Sequence, residues 1–103
     1  MDDMGAMLEE LSQSRDLEPF EGLVEPLVAY DQERGSDLIR TLKVYLAAGA
    51  NASEAADRLF LHRNSLLYRL ARIGELTVLD VKDPRARLAL QLGLLSLERR
   101  GTR

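Results

Sequence analysis

Apolar residues along this chain recur at helical spacing, and no stretch alternates as a half-buried strand would. Met4, Met7, Leu8 and Leu11 fall at i, i+3, i+4 and i+7, one face of a short helix that Asp2 or Asp3 is placed to cap. Polar residues from Ser12 to Glu18 interrupt the pattern, which resumes with Phe20, Leu23, Val24, Leu27 and Tyr30. Pro26 has no backbone N–H, so the second helix is expected over about 24–33, where a first-turn proline forfeits no bond. Gly35-Ser36 ends that element, and Ser36 is the expected cap of a helix with the stripe Leu38, Ile39, Leu42, Tyr45 and Leu46. Gly49 stops it.

Asn51 and Glu54 stand as in a capping box and open a short helix with Ala52, Ala55, Ala56 and Leu59 inward. Beyond the turn Phe60-Leu61-His62, a further helix over 63–73 holds Leu66, Leu67, Leu70 and Ile73, with Gly74 near its end. Asp83-Pro84 supplies a cap and a first-position proline for a last helix over 84–100. Its leucines cover most of the circumference, the mark of a helix central to a bundle or shared with a partner. The predicted fold is all-α, a small helical bundle.

Length and composition narrow the classes. At 103 residues the chain is one small domain, and 46% apolar residues suffice for a modest core. Without cysteine, disulfides, thiolate zinc sites and cysteine nucleophiles are all excluded. No apolar run reaches membrane-spanning length and the acidic start is unlike a signal peptide, so a soluble cytoplasmic protein is expected. His62 is the sole histidine, which argues against a metal site, and no glycine-rich phosphate loop or nucleophile–base set occurs. Neither enzyme activity nor a cofactor is expected.

The net charge of −3 argues against a nucleic-acid partner only until it is divided along the chain. Residues 1–33 hold ten acids and one base, whereas residues 34–103 hold thirteen bases and seven acids. Between Arg58 and Arg72 there are four arginines and no acid. Local field, not total charge, governs phosphate binding.

Two short helices joined by a tight turn, with alanines in the first and arginines on the second, describe a helix-turn-helix. Ala55 and Ala56 allow close approach, and Leu59, Leu61, Leu66 and Leu70 lock the crossing. His62, Arg63, Asn64, Ser65, Tyr68, Arg69 and Arg72 are then expected to face outward. Arg63 and Asn64 suit base edges, since Arg pairs bidentately with guanine and Asn with adenine. Ser65 and the helix-start amides suit a phosphate oxygen, and Arg69 and Arg72 suit phosphate neutralisation. Plainer roles stand beside these: His62 as a helix-start residue, Tyr68 as packing, Met4 to Leu11 as a packing stripe, Asp83 as a cap and the arginines at 85–100 as a solvated face.

The run HRNSLLYRLARI at 62–73, with PLVAYDQERGSDLIRTLKVYL at 26–46 and ELTVLDVKDPRARLALQLGL at 75–94, resembles the C-terminal helix-turn-helix domain of PucR/CdaR-type bacterial transcription regulators. The resemblance covers about residues 17–97 and implies a Fis-like fold that binds double-stranded DNA sequence-specifically. It implies a DNA-binding domain over 17–103 and a recognition helix carrying Arg63, Asn64, Ser65, Tyr68 and Arg69, while residues 1–16, outside the resemblance, read as an N-terminal acidic helix or linker. Ser65 stands where the family usually has Thr, and Val78 where it usually has Gly. Such proteins carry upstream sensory domains that would bind any effector, so the chain is either part of a longer regulator or a stand-alone reader. A homodimer through 3–14 or 84–100 is one expectation; an interaction module without DNA is the alternative. If DNA is the partner, the acidic N-terminal third should pack away from Arg63 and Arg69.

Overall fold

The computed structural model describes residues 3–12 and 14–101. Its elements are α1 (Asp3–Ser12), a 3-10 turn (Arg15–Leu17), α2 (Glu18–Arg34), α3 (Leu38–Ala47), α4 (Ala52–Arg58), α5 (Arg63–Thr77) and α6 (Pro84–Gly101). Among the described residues there is no strand, and no helix is long and apolar enough to cross a membrane. The fold is all-α, as the pattern predicts.

Helices α2 and α6 form the frame. Gly93 of α6 sits so close to α2 that a Cβ there would stand 2.4 Å from the Phe20 carbonyl oxygen. Buried Glu21 of α2 accepts hydrogen bonds from Ser96 Oγ at 2.7 Å and from Arg100, and Glu25 lies 3.7 Å from the same guanidinium. Val24 and Leu27 pack with Leu90 and Leu94 in a core that also holds Leu42, Tyr45, Ala55, Leu66, Leu70 and Ile73. Two of the acids of α2, Glu21 and Glu25, thus meet α6.

Several sequence expectations are corrected. The second helix starts at Glu18, six residues earlier than the 24–33 reading, and runs through Pro26. Pro19 takes the first turn instead, and the carbonyl orphaned by Pro26 belongs to exposed Gly22, where water can serve it. Burial of Val24 and Leu27 on either side holds the helix together. Ser36 does not cap α3. That cap comes from Asp31 on α2, whose Oδ1 accepts from Leu38 N at 2.8 Å and whose Oδ2 accepts from Ile39 N at 3.0 Å; Ser36 Oγ also donates to Asp31. The left-handed turn at Gly35 brings the carboxylate to the amides.

Asp3 is the first residue of α1 rather than its cap, and Asp2 lies outside the described residues. The Met4, Met7, Leu8 and Leu11 stripe is exposed rather than packed. Helix α5 continues past Gly74 to Thr77 and ends on Val78, which keeps the left-handed conformation (φ 60°) usual for glycine while standing exposed. Gly74 admits the following chain instead: a Cβ there would meet the Leu79 carbonyl at 3.2 Å. Asn51 and Asp83 cap α4 and α6 as read, accepting from Glu54 N and Arg85 N at 3.0 Å each.

Three substitutions probe this frame by urea unfolding. Gly93→Ala is expected to cost about 1–3 kcal/mol through overpacking against backbone. Asp31→Ala should cost about 1–2 kcal/mol by uncapping α3. Val78→Gly should gain up to about 1 kcal/mol, because relief of the left-handed strain of an L-residue exceeds the entropy glycine adds. A Gly93→Ala protein as stable as the parent would show that α2 and α6 stand further apart than described.

Candidate nucleic-acid interface

Helix α4 lies under α5 because its inward residues are alanines. Ala55 and Ala56 are buried, and Leu59, Leu66 and Leu70 fill the angle between the helices. The four-residue turn from Leu59 to His62 is tightened by Leu61 N donating to Ala56 O at 2.9 Å and by Phe60 in the left-handed region at φ 56°. Phe60 is 94% exposed, so its strain is repaid by no packing.

His62 begins α5. Its Nδ1 accepts from Asn64 N at 3.1 Å, an N-cap made by a ring nitrogen. The first turn behind it, Arg63, Asn64 and Ser65, is exposed. An uncluttered helix start combines free amide donors with the positive end of the helix dipole. No carboxylate pairs with Arg63 among the described residues, and Glu54 of α4 holds Arg58 one turn along its own helix. The cluster His62–Ser65 is therefore brought together as the spacing predicts.

Further along α5 the outward residues are not free. Tyr68 is exposed, but its hydroxyl accepts from Arg72 at 3.1 Å. Arg72 also donates to Glu75 Oε1 at 2.9 Å and lies over the rings of Tyr68 and Tyr30 at 5.8 and 5.9 Å. The Tyr68 hydrogen bond first, then attraction to Tyr68, Glu75 and Tyr30, raises its pKa above the usual guanidinium range, so it stays charged. Arg72 thereby ties α5 to α2, and its charge is already partly balanced. Arg69 is half-buried, with Nη1 donating to Thr41 Oγ1 of α3 at 3.1 Å. The expectation that Arg69 and Arg72 swing outward is corrected: both are anchored by neighbouring helices.

Between the α2–α3 corner and α5 lies a cleft of about 560 Å³, lined by Tyr30, Asp37, Asn64, Ser65, Tyr68 and Arg69 among others. Thr41 and Tyr30 are the residues that sequence reasoning missed. Both sit inside apolar stripes, where nothing in the local pattern distinguishes a polar anchor from core. Among the described residues no group of His, Asp and Glu is arranged to hold a metal ion.

Comparison with known proteins agrees with this geometry. A family model described as the PucR C-terminal helix-turn-helix domain matches residues 38–96, from the start of α3 into α6. The chain is 34% identical over 94 residues to the proline-responsive transcriptional activator PutR of Bacillus subtilis (strain 168), covering 90% of this chain and 23% of that protein. It is 38% identical over 79 residues to the purine catabolism regulatory protein of the same organism, covering 77% of this chain and 15% of that one. A third relative there, the DNA-binding transcriptional activator AdeR, is 31% identical over 68 residues, 66% of this chain and 16% of its own. The chain thus spans less than a quarter of the length of these relatives. No solved structure matches it significantly. With helix-turn-helix, flanking helices and more than half the sequence in agreement, this chain belongs to the family of PucR C-terminal helix-turn-helix domains.

Proposed function

We propose that this domain binds double-stranded DNA sequence-specifically as the output part of a bacterial, cytoplasmic transcription regulator, with α5 in the major groove, and that it is not an enzyme. The observation that carries the reading is the exposed, acid-free first turn of α5, capped by His62 and bearing Arg63, Asn64 and Ser65. Arg63 and Asn64 read base edges, one by a bidentate pair to guanine and the other to adenine. Ser65 and the helix-start amides take a phosphate oxygen, with the free face of His62 beside them. Arg69 neutralises a phosphate from the middle of the helix. Tyr68 and Arg72 form the far wall of the interface, with Arg72 contributing a partly balanced charge.

Three acids of α2 are occupied elsewhere, Glu21 and Glu25 by Arg100 and Asp31 by the start of α3. On this reading residues 17–103 are the DNA-binding part and residues 1–16 an acidic linker. Effector sensing belongs to sequence outside this chain, consistent with the small share of its relatives that it spans. A second reading, pairing of two copies through α1, is favoured by one observation, the exposed Met4, Met7, Leu8 and Leu11 face. A monomer mass in light scattering at tens of micromolar would reject that pairing.

The DNA reading is checked by selecting a preferred duplex from a random pool and measuring affinity against salt. Three phosphate contacts would weaken binding about 40-fold between 50 and 200 mM salt. Arg63→Ala should cost about 1–3 kcal/mol on the selected duplex and relax its sequence preference at one position, with urea stability unchanged. No preferred duplex, or full affinity in Arg63→Ala, contradicts the assignment.

A further inference from the structure

Five basic side chains meet carboxylates: Arg58 with Glu54, Arg72 with Glu75, Arg100 with Glu21 and Glu25, Lys43 with Glu98, Arg40 with Asp37. Arg69 differs. It is held by a neutral hydroxyl, Thr41 Oγ1 at 3.1 Å, and no carboxylate pairs with it among the described residues. Asp37, the acid that shares its cleft, turns its carboxylate to Arg40 at 3.4 Å. The guanidinium is thus fixed in position while its charge remains available.

Thr41 is suited to that role. It is completely buried, and its hydroxyl donates to the Asp37 carbonyl at 2.8 Å, which turns the oxygen lone pairs toward α5. The same carbonyl already receives Thr41's own backbone N–H at 3.0 Å, so the hydroxyl is not needed to satisfy it. A buried valine would fill the same space. The hydroxyl's distinctive contribution is the contact with Arg69, 28 residues away in sequence.

We infer that Thr41 is a positioning residue for DNA binding: it holds the Arg69 guanidinium at the cleft beside Asn64 and Ser65, set to receive a phosphodiester of the DNA backbone. This rests on the DNA-binding reading above. An arginine in solution samples many rotamers and loses that freedom when it meets a phosphate. Here the ordering is completed during folding, so association does not bear it. A hydroxyl anchor does this without neutralising the charge, as a carboxylate would.

The experiment is a double-mutant cycle on the selected duplex, with melting and far-UV circular dichroism recorded for every variant. Arg69→Ala is expected to weaken binding and lower the magnitude of the salt slope by about one. Thr41→Val should weaken binding about three- to tenfold, and Thr41→Ser should restore it. In the Arg69→Ala background, Thr41→Val should have no further effect. An equal loss in both backgrounds, or full affinity in Thr41→Val while Arg69→Ala is impaired, overturns the inference. Full affinity in Arg69→Ala also overturns it, yet leaves DNA binding standing if Arg63→Ala remains impaired. Independently of variant folding, guanidinium NMR of the free parent protein should find Arg69 Nε markedly more ordered than Arg63 Nε; equal mobility contradicts the anchor.

Discussion

The close approach of α2 to α6 is the constraint on which the remaining structure depends. It exists because Gly93 offers no Cβ to the Phe20 carbonyl, and it is locked by Glu21 reaching Ser96 and Arg100. With α6 fixed on one side, the last turns of α2 present Tyr30 and Asp31 to the other. Asp31 sets the start of α3, and Tyr30 lies under Arg72 of α5. Helix α3 then supplies Thr41 to Arg69. The helix that faces solvent at its first turn is therefore aimed by a chain of contacts that begins at Gly93 of α6.

This arrangement separates two kinds of positive charge. At the start of α5, Arg63 is exposed and meets no carboxylate among the described residues, as the proposed base contact would require. In the middle, Arg69 and Arg72 are held, one by a hydroxyl and one by a carboxylate, a phenol and two rings. Adaptable side chains suit readout, and fixed ones suit a backbone whose phosphates recur at regular spacing. The net charge of −3 is placed unevenly as well: three of the N-terminal acids, Glu21, Glu25 and Asp31, are engaged in binding α6 and capping α3, while the first turn of α5 carries no acid.

Much of this was legible in the residues. The stripes of α3 to α6, the Asn51 and Asp83 caps, the alanines under the turn and the cluster His62–Ser65 all follow from local spacing, because each depends on neighbours within about one or two turns. What the sequence concealed is tertiary. A proline reads as a helix start unless α6 is known to hold the helix through it. A serine next to a glycine reads as the cap, although an aspartate five residues earlier reaches the amides first. Thr41 and Gly93 look like ordinary members of their helices until a partner 28 residues away, or a carbonyl on α2, shows what each is for. The stripe on α1 errs in the other direction, since helical spacing identifies an apolar face without saying whether this chain covers it.

On the proposed reading, the first turn of α5, supported by α3, is the surface that meets DNA. The most direct measurement is a backbone amide NMR titration of the labelled chain with the selected duplex at moderate salt. The largest shift changes are expected on His62 to Ser65 and around Arg69, with smaller ones at the Gly35–Leu38 corner and little change in α1. Shifts concentrated in α1 and α6, with the start of α5 unmoved, would contradict it.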